Sequence, residues 1–279
     1  MKRHHILIPT DFSDNAWTAA LYALNLYANE PCTFYLSHAW TFLNTGARTH
    51  VPESYLKPLR EAAKDKLESL KNLAEIESNG RDHEFETLFC MGSLMDSIEL
   101  SIKEKEIDLV VMGTKGATGT QEFLFGSNTV AIINKMRLRP VLLVPSKATY
   151  VTPTSLVFPT DFNRFYGEEL KSIKHIADLH KSKIEILHIN KKEELNDTQN
   201  ANMEMLDSYL EGYEHHFNWV TDKKKKERAI TRFIKKNDIN ILTMINYEHS
   251  FVENLIKEPV IKKMGYHSIV PFLVIPRVD

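Results

Sequence analysis

The chain has 279 residues, 43% of them hydrophobic and 26% charged, and a formal net charge of −2. These values fit a globular protein with one large or two medium cores, and the even mixture of basic and acidic side chains points away from a nucleic-acid partner or a polybasic membrane anchor. No window approaches the roughly 18 apolar residues of a membrane span, and the apolar part of the N-terminal stretch is too short for a signal peptide, so a cytoplasmic location is expected.

In chain order, residues 6–8 read as a short buried strand, followed by a helix over 13–28 with Ala16, Ala19, Ala20, Ala23, Leu24 and Tyr27 on one face. Ser13 is its natural N-cap. A strand over 33–39 comes next, then a long helix from about 53 to 78 with Leu56, Leu59, Ala63, Leu67, Leu70, Leu73 and Ala74 in helical period. A strand at 83–89, a helix at 93–103, a strand at 109–112, a helix at 126–136 and a strand at 141–144 complete the series. Five apolar strands with helices between them favour an open parallel sheet, whose ligands sit past the carboxyl ends of the strands. Cys32 and Cys90 fall at opposite ends of two of these strands, about 20 Å apart at 3.3 Å per residue, too far for a disulfide.

The series then repeats. Ile6-Leu7-Ile8-Pro9-Thr10-Asp11-Phe12 recurs as Leu156-Val157-Phe158-Pro159-Thr160-Asp161-Phe162, and His38 recurs as His188. Further on, residues 107–112 parallel 239–244, and 141–145 parallel 272–276. Matches kept in one order imply two copies of one domain, 1–147 and 154–279, joined by a short linker containing Pro153.

The segment with most chemistry is 108–129. An apolar strand ends on Gly113 and Gly116, and Gly126-Ser127-Asn128-Thr129 opens a helix. Glycines let backbone N–H groups approach an anion, and a helix N-terminus adds unpaired donors and partial positive charge. This is a phosphate cradle. It is neither a Walker loop nor a dinucleotide fingerprint, because the lysine-serine/threonine ending and the tight glycine spacing are both missing. No zinc-spaced ligands occur, and His215-His216 would point to opposite faces of a strand. No nucleophile elbow or general base stands out, so no catalytic residue and no metal ligand is assigned.

Pro9-Thr10-Asp11-Phe12-Ser13, His38 at a strand end, and the spaced motif Met112-Gly113, Gly116, Gly126-Ser127 resemble the universal stress protein family. The resemblance covers both copies. It implies an open α/β fold of the adenine nucleotide alpha-hydrolase type, strand order 3-2-1-4-5 with helices on both faces, and a site for ATP or AMP, with magnesium as a companion. It places Pro9, Thr10 and Asp11 beside adenosine, with Asp11 on a ribose hydroxyl, the backbone of Ala39 at the adenine edge, and Met112 and Gly113 flanking base and sugar. Gly116, Gly126, Ser127, Asn128 and Thr129 would hold phosphates, with Lys115 in reach of them. It also implies pairing through the fifth strands, 141–144 and 272–275, giving an intramolecular pseudo-dimer, with a homodimer and a further protein partner left open.

Simpler roles compete at each position: Asp11 as a helix cap, Gly113 and Gly116 as turn glycines, Lys115 as a solvated loop lysine, and His38 as packing at a strand end. The lysine run 223–226 reads as a solvated helix start. The second copy has no glycine where the cradle should be. Ile245 and Tyr247 are bulky there, Glu248, Glu253 and Glu258 are acidic, and Pro259 falls near the last helix's first turn. One nucleotide site, in the first domain, is therefore expected, serving stress response by sensing or interaction. The alternatives are a weak divalent-dependent ATPase, working by positioning, and a scaffold with a vestigial site.

Overall fold

The computed structural model describes residues 2–41, 52–114, 126–191, 194–221, 226–246 and 270–277. By its contacts the chain divides into two units, Met1–Lys147 and Ala148–Asp279. Unit 1 runs β1 (His4–Pro9), α1 (Asp14–Leu26), β2 (Cys32–Trp40), α2 (Glu53–Glu77), β3 (His83–Met91), α3 (Leu94–Lys105), β4 (Leu109–Gly113), α4 (Ser127–Lys135) and β5 (Val141–Val144). Unit 2 runs β6 (Ser155–Pro159), α5 (Leu170–His180), β7 (Lys183–His188), α6 (Asp197–Tyr209), β8 (His215–Trp219), α7 (Lys226–Lys236), β9 (Ile241–Asn246) and β10 (Phe272–Pro276).

Every strand pairing within a unit is parallel. The strand order is β3-β2-β1-β4-β5 in unit 1 and β8-β7-β6-β9-β10 in unit 2. The registers agree residue for residue. His5 faces Thr33 as Ser155 faces Lys183, Ile6 faces Leu109 as Leu156 faces Ile241, and Val110 faces Val141 as Leu242 faces Phe272. Gly113 and Ile245 therefore hold the same place in the two sheets.

Continuous apolar runs mark the most deeply buried strands. β4 and β5 are buried at every residue, which requires cover on both faces of the sheet. β3 alternates instead, as an edge strand does. Ser13 caps α1 by accepting from the Ala16 amide, and Ser93 caps α3 by accepting from that of Asp96. The apolar stripe of α2 is wider than its seat: Ala63, Leu67 and Ala74 are buried, whereas Leu59 is 55% and Leu73 51% exposed. The helix lies over β2 and the edge strand β3, so only its narrow inner face finds cover.

Both cysteines are free. Cys32 is in register with His83 and Cys90 with Ala39, which puts the thiols at opposite ends of neighbouring strands. Burial pushes the Cys32 thiol up to about 12. Burial also raises that of Cys90, against hydrogen bonds with Ser101 and Ser97 that lower it. Because the thiolate is the reactive species, a thiol reagent at pH 8 is expected to leave Cys32 unmodified until the chain is denatured. Rapid labelling of both cysteines in the folded protein, located by peptide mass, would contradict this.

Candidate adenine-nucleotide site

The chain winds outward from β1 through β2 to β3, then returns to place β4 on the other side of β1. Strand order reverses between β1 and β4, which is where open α/β sheets form a ligand crevice. The loop after β1 and the segment after β4 border that point.

The loop after β1 is held by its own side chains. The Thr10 amide donates to Ser37 O at 2.8 Å, and Thr10 Oγ1 accepts from the Phe12 amide at 3.0 Å. His38 Nδ1 lies 2.8 Å from Thr10 O, a pure acceptor, so that nitrogen carries the proton. Phe12 takes a left-handed φ of 63°, and its ring centroid lies 4.5 Å from that of His38. Unit 2 repeats the device with Thr160, Phe162 at φ 56°, and His188. His38 therefore packs and positions the loop. The loop presents Asp11, exposed, whose Oδ1 accepts from the Ser13 amide at 3.1 Å and from Ser13 Oγ at 2.5 Å. Ser13 is the cap of α1, and Asp11 supports it.

His188 brings a pH dependence. Burial holds its imidazole below the ordinary value, against upward pulls from the bond to Thr160 and from Asp161, while Lys226 adds to the lowering. A histidine kept neutral by the fold contributes stability in full above about pH 6.5 and loses it as pH falls toward its depressed native pKa, with a slope of at most about 1.4 kcal/mol per pH unit. Melting curves from pH 7.5 to 5 should fall less steeply for His188→Gln than for the parent chain. An equal or steeper fall would remove His188 from the acid response.

At the end of β4, Met112 is buried and Gly113 has no room for a side chain: a Cβ there would lie 2.7 Å from Asn15 Cγ and Oδ1. Asn15 is buried on the first turn of α1, and its Nδ2 lies 3.4 Å from Val144 O. Thr114 carries the next set of ties. Its amide donates to Val144 O at 3.1 Å, and its carbonyl accepts from the Gly126 amide at 2.8 Å and from Thr129 Oγ1 at 3.2 Å. Thr129 is expected from the sequence among the phosphate ligands. Its hydroxyl is buried, with the Gly113 carbonyl at 3.4 Å as a second acceptor, so its proton is committed to the end of β4. Gly126 is the N-cap of α4, with no side-chain cap among the described residues, and Ser127 and Asn128 follow it exposed. The first amides of α4 are thus left for an outside acceptor.

Of the sequence-assigned residues, Pro9 ends β1 and Thr10 and Asp11 follow it, Met112 and Gly113 end β4, and Gly126, Ser127 and Asn128 open α4 beside Thr114. Ala39 lies near the end of β2, two residues beyond the partner of Pro9. Lys115 and Gly116 lie outside the described residues, as do Tyr247, Glu248, Glu253, Glu258 and Pro259. Sequence reasoning missed Asn15 and Thr114. A polar residue on the buried side of α1 was the available signal for the first, and backbone ties leave none for the second. Among the described residues no group of three or more His, Cys, Asp or Glu could hold a metal ion. No helix among them is long and apolar enough to cross a membrane.

Unit 2 differs at the matching strand end. Ile245, 3% exposed, fills the register position of Gly113. By the sequence repeat Arg164 matches Asp14, yet α5 begins only at Leu170. Arg164 pairs instead with buried Glu169 at 2.5 Å. The Asp161 carboxylate accepts from Asn163, and the backbone carbonyls of Asp161 and Phe162 accept from Gln199 and Asn202 of α6 at 2.8 Å.

A model of the universal stress protein family matches residues 2–145. The chain belongs to that family. Universal stress protein MJ0531 of Methanocaldococcus jannaschii is 32% identical over 142 residues, covering 50% of this chain and 80% of that protein. Universal stress protein YxiE of Bacillus subtilis is 27% identical over 145 residues, covering 50% of this chain and 97% of its own. A universal stress protein from Archaeoglobus fulgidus has the same fold over 99% of this chain and 97% of that one, with a TM-score of 0.73 at 19% identity. This universal stress protein is a two-domain member, and the two curated relatives each cover half of it.

Proposed function

We propose that this universal stress protein binds an adenine nucleotide, ATP or AMP, at the carboxyl edge of unit 1, and acts in the cytoplasm in stress response by changing its interactions with the nucleotide state. The observation that carries the reading is the start of α4, which has no side-chain cap among the described residues and is fixed by the bond from Gly126 to Thr114 beside the ends of β4 and β1. Open amides with the exposed hydroxyl of Ser127 and amide of Asn128 suit phosphate oxygens. Asp11 suits ribose hydroxyls, since an ionised carboxylate only accepts. Pro9, Thr10, Met112, Gly113 and the backbone of Ala39 would border adenosine, and Lys115 and Gly116 would complete the phosphate end. The Thr129 hydroxyl ties α4 to β4, and its amide, in the first turn of α4, would join the phosphate donors. Unit 2 is retained for packing or another ligand, because its sequence lacks the glycines of the cradle and Ile245 stands at the register position of Gly113.

The test is to denature the freshly purified full chain and identify released nucleotide by chromatography and mass. About one ATP or AMP per chain supports a single site. Nothing released, with no heat of binding on adding ATP and magnesium, would leave a scaffold. Conversion of ATP to ADP at a steady rate, dependent on a divalent ion, would make the protein a slow ATPase.

A further inference from the structure

We infer that Asn15 is a positioning residue for this site, setting the separation between its ribose end and its phosphate end without touching the nucleotide; the inference rests on the nucleotide reading above. Asp11 is bonded to Ser13, and Ser13 caps α1, so the carboxylate moves with the first turn of that helix. Asn15, on the same turn, lays its carboxamide where a side chain on Gly113 would be and lies 3.4 Å from Val144 O. Gly113 and Thr114 in turn hold Thr129 and Gly126, which start α4. One buried amide therefore joins the helix that carries Asp11 to the strand ends that carry the phosphate donors.

The second unit supplies the contrast within one chain. There the glycine position is Ile245, the residue matching Asn15 in sequence is Phe165, and the helix starts six residues later than the repeat would place it (Leu170 against Arg164). Unit 2 thus lacks both members of the Gly113–Asn15 pair, and with them the helical turn that carries Asn15 in unit 1.

The experiment is calorimetric titration of the full chain and its Asn15→Ala variant with ATP and with adenosine, alongside melting curves. ATP engages both ends of the site and adenosine only one, so ATP affinity should fall at least tenfold more than adenosine affinity. Asn15→Ser keeps a donor and part of the volume, and should fall between, giving a folded reading if the alanine variant melts early. Gly113→Ala, which drives a methyl into the amide, should lower the melting temperature, and adding Asn15→Ala should recover most of that loss. Parent binding with equal losses for ATP and adenosine, or with none, overturns the positioning role alone. No binding of either ligand by the parent chain overturns the nucleotide reading and this inference with it, while the melting comparison still reports on the Gly113–Asn15 contact.

Discussion

Gly126→Glu is expected to weaken ATP binding about a hundredfold while the fold is kept. Gly126 sits at φ −62° and ψ 156°, a conformation open to any L residue, so the new side chain meets no backbone strain. A carboxylate at an N-cap also suits the positive end of a helix, so α4 should hold. A phosphate in the same place is repelled. At about 5 Å and an effective dielectric of about 20, each pair of like charges costs about 3 kcal/mol, and half of that is already more than tenfold in affinity. Titration calorimetry gives the affinity and a melting curve checks the fold. Undiminished ATP binding by a folded Gly126→Glu protein would move the phosphates away from α4.

Asp11→Ala and Asp161→Ala should part company. Losing a hydrogen bond to a charged acceptor costs about 1.5–3 kcal/mol, so Asp11→Ala should weaken nucleotide binding roughly ten- to a hundredfold. Ser13 still accepts from the Ala16 amide in that variant, so α1 keeps its cap. Asp161 stands in the same Thr-Asp-Phe loop with the same left-handed phenylalanine, yet it should be silent in binding. Its loop carbonyls are taken by α6, and its unit lacks the glycine seat at Ile245. A loss of one bound nucleotide per chain in Asp161→Ala would put a second site in unit 2.

The features that local pattern controls were legible in the sequence. Central strands are continuous apolar runs, the duplicated Pro-Thr-Asp-Phe segment is its own hydrogen-bonded loop, and Ser13 precedes its helix as a cap should. The features decided by distant partners were not. Thr129 looks like a phosphate ligand because it follows Gly126-Ser127-Asn128, and only the fold shows its hydroxyl against the carbonyls ending β4. Asn15 reads as one polar residue in an alanine-rich helix, because its partner, Gly113, comes three strands later in the chain. The late start of α5 is hidden for the same reason. The repeat aligns 164 with 14, but Arg164 pairs with Glu169 and the helix begins only at Leu170. The stripe on α2 errs in the other direction, since period alone cannot tell how wide a face the sheet edge will cover.

The carbonyl of Thr114 receives both Gly126 and Thr129, and its amide is spent on Val144. Strand and helix are thereby sewn together at one seam. The stitch from Gly126 to Thr114 uses main-chain atoms alone, so no exchange of side chains removes it. The start of α4 stays in step with the edge of the sheet while the residues it displays, Ser127 and Asn128, are free to drift and retune what the crevice recognises.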